Sequence, residues 1–109
     1  MIDLDFIRLV NIHKARYPSS TTRIDSTPHH NAAIGGAVQS HHLLGRAIDL
    51  IFDPDVNLMA VADYAVQLGF GGVELDLRNN HLHLDMRSIP WHVYYTKEGR
   101  ECLLTPTLV

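Results

Sequence analysis

Val73-Glu74-Leu75-Asp76-Leu77, then Arg78-Asn79-Asn80, then His81-Leu82-His83-Leu84-Asp85, is the stretch whose reading decides the fold of this chain. Both flanks alternate apolar and polar residues at a period of two, and the Asn pair supplies turn chemistry, so the stretch predicts a β-hairpin. Alternation puts Leu82 and Leu84 on one face and His81, His83 and Asp85 on the other. A two-residue Asn79-Asn80 turn pairs Arg78 with His81 and Asp76 with His83, which brings Glu74, Asp76 and Asp85 onto the histidine face. A three-residue turn moves Glu74 and Asp76 away and leaves Asp85 where it is.

Working outward, residues 47–52 (AIDLIF) form a mostly apolar run closed by Asp53-Pro54, which predicts a buried strand with one acid, Asp49, inside it. Asp55 or Asn57 caps a helix over 57–68 that ends at Gly69. At the start of the chain Ile2, Phe6, Leu9 and Val10 recur at helical spacing, predicting an amphipathic helix over 3–15 that Tyr17-Pro18 stops. Thr21 to Ile24 suits a short strand, Pro28 opens a short helix through Ala33, and Trp91 to Tyr95 adds another strand. The expected architecture is α+β: one domain over 1–109, with a small antiparallel sheet and the helices packed on one face of it. Ile48, Leu50, Leu82 and Leu84 are the expected shared core. His13 and His92 read as surface or rim residues.

The 109 residues are one domain's worth of chain, and a composition of 46% hydrophobic and 19% charged residues is globular. A net charge of −3 with no basic cluster argues against a nucleic-acid partner. Cys102, the single cysteine, makes no internal disulfide. Asp3 and Asp5 interrupt the opening apolar residues, unlike a signal peptide, and no apolar run approaches the ~20 residues of a spanning helix. A soluble protein without a visible export signal is expected.

Eight histidines, six of them in the groups His29-His30, His41-His42 and His81-Leu82-His83, are the compositional surplus. Histidine is the commonest metal ligand. His42 and Asp49 flank LLGRAI, where Gly45 allows a turn that carries Asp49 back along its strand toward His42. His83 can supply a third ligand if the hairpin lies beside that strand, and three such ligands with an open position make a catalytic zinc site. The plainer reading pairs Asp49 with Arg46, Arg78 or Arg87, leaves His81 and His83 facing solvent, and pairs Asp85 with Arg87.

Ser40-His41-His42-Leu43-Leu44-Gly45-Arg46-Ala47-Ile48-Asp49 carries every fixed position of Ser-x-His-x-x-Gly-x-Ala-x-Asp, the signature of the M15 family of zinc D-alanyl-D-alanine carboxypeptidases and related endolysins. Pro28 to Ala37, the Gly-Phe-Gly-Gly-Val segment and His-Leu-His-Leu-Asp also resemble that family, so the likeness spans residues 25 to 91. The resemblance implies a hedgehog-like metallopeptidase fold with zinc held by His42, Asp49 and His83. It implies a water of lowered pKa at the metal, and peptidoglycan stem peptides as substrate. His81 matches a histidine that steadies oxyanion charge, and Ser40 a hydroxyl near the metal or substrate.

Two positions depart from the family pattern. Several relatives carry an acid three residues before the last ligand, where this chain has Asn80, so proton transfer falls to Asp85 or His81, with Asp76 behind them. Relatives commonly hold the substrate's terminal carboxylate with an arginine, where this chain has Ser26. Either Arg23 or Arg46 takes over that role, or the bond cleaved is internal. The expected activity is therefore a D-Ala-D-Ala carboxypeptidase or an L-Ala-D-Glu-type endopeptidase. The alternatives are a zinc-containing binding or structural domain that has lost catalysis, and a metal-free core.

Overall fold

The computed structural model describes residues 3–24, with the backbone only for 21–24, and 46–105. The short helix expected from Pro28, the histidines at 29, 30, 41 and 42, and Ser26 and Ser40 lie outside these residues.

Helix α1 spans Leu4–Arg16, with Asp3 as its cap accepting a hydrogen bond from the Phe6 N–H at 3.1 Å. Strand β1 (Ser20–Ile24) follows, then β2 (Ala47–Ile51) and helix α2 (Leu58–Leu68). Of the two caps considered for α2, Asn57 is the one used, taking the Ala60 N–H at 3.2 Å. Its other end closes on Gly69 at φ 105°, where the Gly69 N–H reaches Val66 O and the Phe70 N–H reaches Ala65 O. Strands β3 (Gly72–Asp76), β4 (His81–Asp85), β5 (Trp91–Tyr95) and β6 (Glu101–Leu103) complete the described chain.

These strands form one sheet in the order β1-β2-β4-β3-β5-β6. The architecture is α+β, as expected, but the sheet is mixed: β3 and β5 run parallel and the other neighbours antiparallel. The parallel pair arises because residues 86–90 leave β4 and cross the end of β3 to start β5 on its far side. That crossing runs directly over Gly71, where an added Cβ would lie 1.8 Å from Arg87 O. The Trp91 N–H then locks onto Gly71 O at 2.9 Å.

Ile48 and Leu50 of β2, Leu82 and Leu84 of β4, and Val73 and Leu75 of β3 share one face and bury against the helices. Phe6 and Val10 from α1 and Val61, Ala62 and Ala65 from α2 fill the other side of that core, with Phe6 edge-on to Phe70 at 6.0 Å. The opposite sheet face carries Asp49 of β2, Glu74 and Asp76 of β3 and His81, His83 and Asp85 of β4, flanked by Trp91, Val93 and Tyr95 of β5.

His13 corrects the expectation that it sits at the surface. It is 0% exposed, bonded through Nε2 to Val61 O at 3.0 Å and enclosed by the rings of Tyr17, Phe52 and Tyr64. No partner among the described residues meets its Nδ1. Burial lowers its pKa, opposed in part by the Val61 hydrogen bond. His92 is half-buried, with Nε2 bonded to Phe70 O at 3.0 Å.

Candidate metal centre

The hairpin that orders the site closes by a longer loop than a two-residue turn. Asp76 pairs with His81 and Glu74 with His83, leaving residues 77–80 as the loop. Asp76 itself shapes that loop, its Oδ1 accepting from the Arg78 N–H at 2.9 Å while Asn80 takes the left-handed conformation at φ 53°. Lengthening a two-residue turn by two residues preserves the side-chain parity. Glu74, Asp76, His81, His83 and Asp85 therefore share one face, as the two-residue reading also required.

On the other side of β4, β2 sets Asp49 directly opposite His83. The His83 Nδ1 lies 3.0 Å from Asp49 Oδ1, and the His81 Nε2 lies 3.3 Å from the same oxygen. The Nε2 of His83 lies 2.7 Å from Asp85 Oδ2. Asp85 is only 1% exposed, and Arg87 donates to both its oxygens from Nε and Nη2 and to Oδ1 from its backbone N–H. The room for this buried ion pair comes from its strand neighbours, Ala47 on β2 and Gly72 on β3. An added Cβ at Gly72 would sit 2.2 Å from Asp85 Oδ1.

These contacts set the charges of the site. Burial is the largest influence on His83 and pulls its pKa down, but the hydrogen bonds and charges of Asp49 and Asp85 outweigh it and raise the imidazole to about 9. Burial also disfavours the Asp85 carboxylate, yet His83 and Arg87 hold it well below the usual carboxylate range. Asp76 is held low chiefly by the Arg78 guanidinium.

Asp49, Glu74, Asp76, His81, His83 and Tyr95 line a cleft of about 300 Å³. Among the described residues no group of three His, Cys, Asp or Glu side chains is arranged to hold a metal ion. Two of the three ligands read from the sequence, Asp49 and His83, do come together, while His42 lies outside the described residues. Their donor chemistry fits zinc. Two ligands on a tetrahedral zinc stand ~3.3 Å apart, close to the Nδ1 to Oδ1 separation. The metal-free imidazolium donates from Nδ1 to Asp49 and from Nε2 to Asp85; loss of the Nδ1 proton would turn that nitrogen to a metal while Asp85 still held the Nε2–H, the arrangement in which a carboxylate orients a metal-binding imidazole.

The arginines considered as partners for Asp49 have other engagements. Arg78 grips Asp76, Arg87 grips Asp85, and the Nε of Arg46 lies 3.0 Å from Asp3 Oδ2 while its Nη2 donates to Met86 O. Arg23 occupies the β1 register position opposite Asp49. Asp85 has the ion pair with Arg87 that the plainer reading offered, and the same carboxylate touches His83. Sequence reasoning missed the indole of Trp91, which donates from Nε1 to Glu74 Oε1 at 3.2 Å. It also missed Gly72, whose signal was a glycine directly cross-strand from an acid.

No helix among the described residues is long and apolar enough to cross a membrane. No curated protein and no solved structure matches the chain. The family model described as Peptidase M15 matches residues 5–85, which include all but the first residue of α1, β2, the whole hairpin and each of Asp49, His81, His83 and Asp85, so the chain belongs to the M15 family of peptide-bond hydrolases.

Proposed function

We propose that this protein is a zinc peptidase that hydrolyses stem-peptide bonds of peptidoglycan, with His42, Asp49 and His83 as metal ligands. The observation that carries the reading is His83, whose Nδ1 meets Asp49 at 3.0 Å while Asp85 fixes its Nε2 at 2.7 Å. Zinc, when bound there, supplies a Lewis acid for the scissile carbonyl and a water whose pKa falls to roughly 7. Asp85, buried and already bonded through both oxygens, acts by orienting His83 rather than by taking a proton from the reacting groups. His81, partly exposed and two residues along the same face, handles protons and the developing oxyanion charge. Ser40 and Arg23 contact substrate. Arg46 is ion-paired with Asp3 and donates to Met86 O, which leaves Arg23 as the arginine for a substrate carboxylate, and the bond cleaved is a terminal D-Ala-D-Ala bond or an internal L-Ala-D-Glu-type one.

Digestion of purified cell walls with and without chelator, with products identified by mass and zinc measured on the same samples, tests the reading. His42→Ala and Asp49→Ala each lose zinc and activity, and His81→Ala keeps zinc and loses rate. Zinc-loaded protein that releases no fragment from any wall type would overturn the activity. That outcome would favour the second reading, a zinc-containing binding or structural domain, for which the amide of Asn80 in place of an acid is the supporting observation.

A further inference from the structure

Asp85 can hold the His83 ring only as firmly as its own carboxylate is held, and the torsion that turns an aspartate carboxylate is a soft one. Arg87 fixes it from two residues along the chain. The Arg87 backbone N–H donates to Oδ1 at 3.0 Å, and Nε donates to Oδ1 at 2.9 Å and Oδ2 at 3.0 Å, with Nη2 on Oδ2 as well. A planar guanidinium that grips both oxygens sets the plane of the carboxylate as well as neutralising its charge. In that plane Oδ2 meets the Nε2–H of His83 at 2.7 Å. With Asp85 only 1% exposed, solvent has little access to compete for either oxygen.

Arg87 is itself held from both sides. Before it, the Met86 N–H donates to Arg46 O at 3.2 Å and Arg46 Nη2 donates to Met86 O at 3.1 Å. Its own carbonyl lies against Gly71, where the crossing to β5 leaves no room for a Cβ, and the Trp91 N–H closes that crossing on Gly71 O. At the guanidinium, Nη2 stands 3.8 Å from Glu74 Oε2, and the other oxygen of Glu74 takes the Trp91 indole N–H at 3.2 Å. The chain therefore aims this side chain from its backbone outward, and the aim passes through Asp85 to the nitrogen of His83 opposite the one that faces Asp49.

We infer that Arg87 is a positioning residue of the metal centre: its paired N–H groups set the plane of the Asp85 carboxylate, and that plane sets the angle at which His83 presents Nδ1 beside Asp49. This rests on the zinc reading above and adds to it a residue that touches neither metal nor substrate. Arg87 also lies beyond residues 5–85, so the family match does not assign it.

The test separates direction from charge. Arg87→Lys keeps a cation beside the buried carboxylate but removes the planar fork. Zinc affinity is measured by chelator competition on wild type, Arg87→Lys, Asp85→Asn and the double variant. Arg87→Lys should weaken zinc about tenfold, the lower end for a group that orients a metal-binding histidine, and should change it less than twofold in the Asp85→Asn background. Affinity within twofold of wild type in Arg87→Lys, whatever its Tm, would overturn the inference and leave an ion pair that only supports the fold. An equal loss in the Asp85→Asn background would also overturn it, since Arg87 would then act by another route. A second readout needs neither metal nor the Asp85 variant: in metal-free protein the Nε2–H proton of His83 should be visible by NMR in wild type and lost to solvent exchange in Arg87→Lys, and its persistence there would count against the inference. Wall digestion on the same samples keeps the two readings apart. A zinc effect that runs through Asp85, in protein that releases no fragment, would keep the role of Arg87 and overturn the peptidase; unchanged zinc affinity in protein that digests walls would do the reverse. Wild type that takes up no zinc would overturn both.

Discussion

Gly72→Ala tests whether the site depends on space at one strand position. Ordinary van der Waals contact begins at 3.4 Å, whereas the added Cβ would lie 2.2, 2.3 and 2.4 Å from the three carboxylate atoms of Asp85. The carboxylate must retreat by more than an ångström. Such a move breaks the 2.7 Å contact with His83 and the 2.9 to 3.0 Å bonds from Arg87. Asp85 is 1% exposed, so water cannot replace them. Disrupting a buried pair costs about 3–5 kcal/mol, and the partial exposure of Arg87 places the cost near the lower end, about 3. For a domain of this size that is roughly 12–25 °C in Tm. With Nε2 unrestrained, zinc affinity should fall about 10–100-fold. Thermal denaturation and a zinc-competition titration of the single and double variants decide the matter. In an Asp85→Ala background the clash is gone, so Gly72→Ala should change stability by less than about 1 kcal/mol. A full cost for Gly72→Ala in that background would refute the argument, because the strain would then lie in the strand and not at the carboxylate.

Other consequences are as direct. The folded state holds the pKa of His13 below its ordinary 6.5, so the unfolded chain binds the extra proton and stability falls as pH drops below that value. His13→Leu, which gives up one hydrogen bond but removes a stranded nitrogen, should stay within about 1 kcal/mol of wild type at pH 7.5. Its denaturation midpoint should lose up to one proton's worth of pH slope, ~1.4 kcal/mol per unit, between pH 6.5 and 5, and an unchanged slope would exclude His13. In metal-free protein His83 titrates at about 9, so its pairing stabilises the fold fully below 6.5 and that contribution is lost as pH rises through 9. Zinc must displace this proton, so apparent zinc affinity should climb at least about tenfold per pH unit from 7 to 8.5, and a flat chelator-competition curve would count against His83 as a ligand. Asn80 at φ 53° should accept Gly with little change, whereas Asn80→Val should cost about 1–2 kcal/mol in chemical denaturation.

What could be read from the sequence follows from which interactions are periodic. The face of His81, His83 and Asp85 was legible because two- and four-residue loops share side-chain parity, so an error in loop length left the site unchanged. The α2 boundaries were legible because Asn57 and Gly69 act locally on backbone groups within a few residues. His13 was legible in principle: Phe6, Val10 and His13 fall at helical spacing on one buried stripe, and its polarity concealed the pattern. The parallel β3–β5 pairing was not, because nothing within 91–95 names a neighbour and the decisive feature is a chain crossing over Gly71. The same holds at the site itself. A signature can nominate Asp49 and His83, but the carboxylate that orients the imidazole is buried by a glycine thirteen residues away, and the indole that holds Glu74 is seventeen residues away on a strand that pairs with β3 only after that crossing. Candidate metal ligands could thus be proposed from the signature, whereas the residues packed around them emerge only when β4 is flanked by β2 and β3 and the chain has returned to lay β5 beside β3.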